Sequence, residues 1–198
     1  PETELLVEQA LQLLDSSADK TVLDLGTGSG AIALAIAKER PHCQVTAIDQ
    51  SRQALSVAQE NARALHLPNV HVQHGHWCRT LAPGQRFDLI VANPPYIASN
   101  DPHLCQGDVR FEPETALSSG VDGLDDIREI AASARPFLRS GGWLLLEHGY
   151  QQGEAVAALL QSLAYQNIST HRDLAGLPRV TLAQYAAHAH NDRDSVSP

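Results

Sequence analysis

The chain has 198 residues, 43% hydrophobic and 19% charged, which suffices for one sizeable core and lies far from a disordered composition. Its 14 Lys and Arg against 23 Asp and Glu leave a formal net charge of −9. That charge disfavours nucleic acid as a partner, since phosphate binding leaves a basic patch or stripe. Cys43, Cys78 and Cys105 are widely spaced with no C-x-x-C pair, which excludes a disulfide scaffold and fits an intracellular, cytoplasmic protein with reduced thiols. No apolar run approaches a membrane span, and no secretory segment is visible. The chain holds no Met and opens at Pro1, so its native start is expected upstream.

Apolar spacing from Leu5 to Leu14 predicts a first helix over about residues 2–15. Thr21-Val22-Leu23-Asp24-Leu25 is a short apolar run ending in glycines, a buried strand. Ala31 to Glu39, rich in Ala, Leu and Ile, follows as a helix. Gln44-Val45-Thr46-Ala47-Ile48 forms a second strand stopped by Asp49, and Ser51 caps a helix that runs to about His66. Strands are predicted at Val70 to Gln73 and Phe87 to Ala92. Residues 93–123 show little periodicity, and a loop of that length is usually functional or flexible.

Asp125 to Leu138 reads as a helix ended or kinked at Arg135-Pro136. Ser140-Gly141-Gly142 is expected to turn the chain into a strand over Trp143 to Glu147. A helix near 153–164 and strands near 167–172 and 179–184 complete the pattern. Strands alternating with helices argue for βαβ units and a parallel sheet, hence one α/β domain over residues 1–185. Residues 186–198, rich in Ala, His, Asp and Ser, are expected to form a disordered tail.

Gly26-Thr27-Gly28-Ser29-Gly30 sits between the first strand and the next helix. Glycines there permit a tight turn, close ligand approach and an open helix N-terminus. Asp49 ends the second strand 19 residues after Gly30, where an acid can accept both ribose hydroxyls of an adenosine. The nucleoside can belong to a nicotinamide cofactor or to S-adenosylmethionine. An ordinary βα turn with a capping carboxylate is the bland alternative.

Asn93-Pro94-Pro95-Tyr96 follows the fourth strand, at the sheet's carboxyl edge. Neither proline has a backbone N–H, and each stiffens the residue before it. The turn therefore presents carbonyl acceptors, joined by the Asn93 side-chain oxygen, with Tyr96 as a stacking face. Such a pair suits a planar NH2 group, whose lone pair it can turn towards an electrophile while stabilising the charge that develops on nitrogen. A rigid turn that merely ends a strand is the alternative.

These residues resemble the class I methyltransferases that bind S-adenosylmethionine: Val22-Leu23-Asp24-Leu25-Gly26-Thr27-Gly28-Ser29-Gly30, Asp49 and Asn93-Pro94-Pro95-Tyr96. Adenine-amine DNA methyltransferases, some rRNA guanine methyltransferases and protein glutamine methyltransferases share that set. Pro1-Glu2-Thr3-Glu4-Leu5-Leu6-Val7, Phe111-Glu112-Pro113 with Ala116-Leu117, Leu145-Leu146-Glu147-His148-Gly149, and Arg172-Asp173-Leu174-Ala175-Gly176 with Arg179-Val180 are similar to segments of the release-factor glutamine methyltransferases. The resemblance runs to about Tyr185.

It implies a Rossmann-like class I methyltransferase sheet, mostly parallel with an antiparallel last strand and helices on both faces. It implies methyl transfer to the side-chain amide nitrogen of the Gln in the Gly-Gly-Gln motif of class I peptide-chain release factors, with S-adenosyl-L-homocysteine as product. By position, cofactor contacts fall on Gly26, Thr27, Gly28, Ser29, Gly30, Asp49, Trp77 and Asn93. Substrate contacts fall on Asn93, Pro94, Pro95 and Tyr96, of which Asn93, Pro94 and Tyr96 are the catalytic candidates. An indole at Trp77, following the third strand, can flank an adenine; a partly buried core side chain is the alternative. Glu112 either orients the substrate loop or caps the long loop. The family's upstream helical substrate-binding domain is expected to be absent from this chain.

Two other readings compete: a nucleic-acid exocyclic-amine methyltransferase acting on adenine or guanine, and a non-catalytic cofactor-binding subunit. No metal is expected. His74 and His76 are placed on one strand face near His71, but no Cys or carboxylate completes a ligand set at recognisable spacing.

Overall fold

In the computed structural model, which describes residues 2–97 and 119–186, seven strands form one sheet in the order β3-β2-β1-β4-β5-β7-β6. The elements follow the chain as α1 (Glu2–Leu13), β1 (Thr21–Leu25), α2 (Ala31–Glu39), β2 (Gln44–Asp49), α3 (Arg52–Ala64), β3 (Val70–His74) and β4 (Phe87–Ala92). Then come α4 (Asp125–Ala134), β5 (Leu138–Glu147), α5 (Gly153–Ser162), β6 (Gln166–Arg172) and β7 (Pro178–Gln184). Strands β1 to β5 pair in parallel, whereas β7 runs antiparallel to both β5 and β6. The expected fold class, with its antiparallel last strand, is the one observed.

Strand alternation sends side chains to two separate cores. Val22, Val45, Leu89, Val91 and Leu145 pack with Leu6, Ala10 and Leu14 and with Ile32 and Ile36 of α2. Leu23, Leu25, Ile90, Leu144 and Leu146 point the other way, onto Ile127 and Ile130 of α4 and Val156 and Leu160 of α5. A sheet covered on both faces needs apolar residues at successive positions, which is why these strands read as continuous apolar runs. Each fully buried Leu or Ile contributes about 1.5–3 kcal/mol by leaving water.

Two boundaries differ from the sequence reading by more than two residues. The fourth helix stops at Ala134, and Arg135–Phe137 form a 3-10 turn, since Pro136 can donate no helical hydrogen bond. Ser140-Gly141-Gly142 is not a turn between elements; it lies inside β5, which already begins at Leu138. The register slips opposite Phe87 and Leu89, and Gly141 takes φ +82. Gly141 N–H donates to the Tyr185 carbonyl at 2.7 Å and Tyr185 N–H to Gly142 at 2.8 Å, so the glycine pair is a bulge held by the β7 end.

The Phe111-Glu112-Pro113 and Ala116-Leu117 segments, Cys105, Pro1 and the tail from residue 187 lie outside the described residues.

Candidate active site

Leu25 and Ala92 are register partners on adjacent strands, so the chain leaves β1 at Gly26 and β4 at Asn93 side by side. The strand order reverses here, with β2 and β3 on one side of β1 and β4 and β5 on the other. At such a point the following segments diverge and open a crevice, where α/β sheets bind their ligands.

The loop after β1 is tied down by backbone. Gly26 and Thr27 N–H both donate to the Ile48 carbonyl, at 2.8 and 2.9 Å. Gly28 N–H donates to Asp49 Oδ2 at 2.8 Å, and the other Asp49 oxygen accepts Ser51 N–H at 2.8 Å. Asn61 of α3 holds the Ser29 carbonyl at 3.0 Å. The space over Gly28 is open, because a Cβ added there would meet no atom within 4 Å.

Trp77 closes the floor beside this loop. It is 8% exposed and donates Nε1–H to Asp126 Oδ1 of α4 at 3.1 Å. A Cβ on Gly26, which sits at φ +72, would come 3.0 Å from the Trp77 ring edge, so glycine here serves both backbone and packing. The indole belongs to the same core cluster as Leu25 and Ile48. It is thus a core side chain whose edge borders the glycine loop.

Asn93, Pro95 and Tyr96 are half-buried and Pro94 is buried. The exit of the turn is fixed from two sides. The Tyr96 carbonyl accepts Gln152 Nε2–H at 3.0 Å, and the Ile97 carbonyl accepts Ser119 N–H at 3.0 Å.

The family described as "Methyltransferase small domain" matches residues 2–107. A relative from Xylella fastidiosa, named release factor glutamine methyltransferase, is 57% identical over 183 residues, 92% of this chain and 66% of its own length. A Pseudomonas aeruginosa protein of the same name is 55% identical over 186 residues, 94% of this chain and 67% of its own. The chain belongs to the release factor glutamine methyltransferase family. It spans about two thirds of the length of these curated relatives. A solved protein-(glutamine-N5) methyltransferase (release factor-specific) from Alicyclobacillus acidocaldarius superposes with TM-score 0.58 at 29% identity, covering 94% of this chain and 93% of that one.

Within this family member, the candidates Gly26, Thr27, Gly28, Ser29, Gly30, Asp49, Asn93, Pro94, Pro95 and Tyr96 come together around one crevice, with Trp77 beneath the loop. The Thr27 hydroxyl faces inward, donating to Asp24 Oδ2 at 2.6 Å. Sequence reasoning gave Asp24 no role of its own, yet it organises the loop. Gly30 is the α2 N-cap and offers no side-chain cap, so Asp24 accepts Ala33 N–H at 3.1 Å in its place. Asp24 is fully buried, and its Oδ1 has no hydrogen-bond partner among the described residues.

Burial pushes the Asp24 carboxyl up to about 6, with Asp49 adding to the rise and the Thr27 and Ala33 hydrogen bonds opposing it. A buried acid raised this way penalises the ionised form. The cost is absent below the unfolded value near 3.8 and complete above about 6. Asp24→Asn is therefore expected to gain stability relative to the parent by about 2 kcal/mol as pH rises from about 4.5 to 7.5. Urea unfolding of both proteins at the two pH values measures this, and a pH-independent difference contradicts it.

The histidines engage polar neighbours. His74 Nε2 lies 3.0 Å from the Gln50 carbonyl and His71 Nε2 3.2 Å from Gln44 Oε1. Because β3 ends at His74, His76 does not share a strand face with it; His76 lies 3.5 Å from Glu129 of α4 and edge-on to Trp77. Gln152 also escaped sequence reading: a glutamine in a polar stretch carries no local signal of what it will hold.

Proposed function

We propose that the protein methylates the side-chain amide nitrogen (N5) of the glutamine in the Gly-Gly-Gln motif of class I peptide-chain release factors, using S-adenosylmethionine. The observation that carries this reading is the adjacency of two strand ends. Gly26 and Asn93 follow register partners, so a cofactor over the glycine loop and an amide at the Asn-Pro-Pro-Tyr turn would share one crevice. The residues fit that cofactor: the space over Gly28 is open, and the Asp49 carboxylate beside it keeps lone pairs for hydroxyl donors. S-adenosylmethionine, when bound, supplies the methyl group.

The chain's own residues then act on the amide. An amide NH2 is a poor nucleophile because its lone pair is delocalised. Asn93 Oδ1 and the carbonyls of the proline turn accept its two hydrogens, twist the lone pair towards the methyl and stabilise positive charge on nitrogen. Tyr96 stacks on the amide plane. Alignment of this kind supplies on the order of 7–11 kcal/mol of the barrier. The nitrogen gains a methyl and afterwards loses one proton to solvent, so no base need act first.

The named relatives support release factors as substrates. The net charge of −9 weighs against nucleic acid. Among the described residues no helix is long and apolar enough to cross a membrane, and Cys43 and Cys78 are free and buried, which is compatible with the cytoplasm.

The test is labelled-methyl transfer from S-adenosylmethionine to a purified release factor, beside the same factor with its motif Gln replaced and beside duplex DNA. Label on the factor that vanishes with the replacement is expected. Label on DNA would move the function to exocyclic-amine methylation of nucleic acid.

A further inference from the structure

Gln152 lies at the start of α5, outside every motif singled out in the sequence, yet its amide joins three segments. Oε1 accepts Gly149 N–H at 2.8 Å, while the Gln152 N–H returns to the Gly149 carbonyl at 2.9 Å. With the oxygen so committed, the amide nitrogen must face the other way. It donates to the Tyr96 carbonyl at 3.0 Å and to the Asp122 carbonyl at 3.1 Å. Both NH2 hydrogens are thus spent on backbone, one on the turn and one on the segment entering α4.

The neighbours leave this staple little freedom. Leu146 of β5 is the register partner of Ala92, so the segment after β5 emerges beside the turn. At Gly123, which sits at φ +74, a Cβ would run into the Tyr96 carbonyl oxygen and the Gln152 amide. Ser119 N–H closes on Ile97 next to the same point. Tyr96 and Asp122 are 26 residues apart in the chain and share one donor group.

We propose that Gln152 is a positioning residue for methyl transfer: by holding the Tyr96 carbonyl against residues 122–123, it fixes the Pro95-Tyr96 end of the turn on which the substrate amide is placed. It acts through Tyr96 without touching substrate. This rests on the proposed amide methylation for its kinetic consequence, and on geometry alone for its structural one.

Gln152→Glu is the discriminating variant. A carboxylate still accepts Gly149 N–H but can donate to neither carbonyl. A turn displaced by a fraction of an ångström is expected to lower kcat on the release factor by about 10-fold or more. S-adenosylmethionine affinity by calorimetry stays within about 2-fold, because the glycine loop lies on the far side of Asn93 and is held by Ile48 and Asp49. Gln152→Ala, which loses all three bonds, behaves at least as severely. Hydrogen exchange of the Ser119 amide, read without any substrate, is expected to quicken about 10-fold in Gln152→Glu as the 97–119 closure loosens.

A kcat equal to the parent's on a factor that the parent methylates overturns the proposal. So does a parallel fall in kcat, cofactor affinity and thermal midpoint, which marks a merely structural residue. Should the parent methylate no factor, the function reading fails separately, and unchanged Ser119 exchange would still overturn the role of Gln152.

Discussion

Asn93→Ala is expected to lower turnover about 100-fold or more, in line with the loss of one preorganised group aimed at developing charge. Asn93 leaves β4 beside Gly26, and its neighbours Pro94 and Pro95 carry no N–H to compete for the acceptors. On the proposed role, removing the side-chain oxygen would leave one hydrogen of the substrate amide without an acceptor when nitrogen becomes positive. S-adenosylmethionine affinity should fall far less than turnover, since Asn93 is one candidate cofactor contact among several and the glycine loop is fixed by Ile48 and Asp49. Single-turnover methyl transfer with calorimetry of cofactor binding separates the two effects, and near-normal turnover would sink the role assigned to Asn93.

Asp49→Ala is expected to weaken cofactor binding by about 1.5–3 kcal/mol, the range for hydrogen bonds to a charged group. The carboxylate already accepts Gly28 N–H on one oxygen and Ser51 N–H on the other. Capping and ligand binding are therefore not rivals here, because each oxygen has a second lone pair to offer a hydroxyl. Asp49→Asn keeps one acceptor oxygen and should fall between parent and Ala. Unchanged affinity in both variants would mean that the acid only secures the loop and the start of α3.

Much of this was legible because it is local. A glycine run after Leu25, an acid at the end of a strand and two prolines after Asn93 restrict the backbone wherever they occur, so their stiffness and acceptor chemistry follow from residue type. Ser51 as the α3 cap was legible for the same reason, and its hydroxyl accepts Ala54 N–H at 3.2 Å. The family assignment draws on these short segments too. Ser140-Gly141-Gly142 marks the limit of such reading. A glycine pair signals a turn or a bulge equally well, and only the pairing with Phe87, Leu89 and Tyr185 chose the bulge.

The sequence by itself determined most of the elements and the stiffness and acceptor chemistry of the loops, since each rests on conformational limits within a few residues. The tertiary structure alone decided that Gly26 and Asn93 stand side by side, that Trp77 supports the loop from the core, and that Gln152 clasps the turn. Those relations depend on hydrogen bonds and packing between residues brought together by sheet order and register, and no local pattern encodes a partner dozens of residues away.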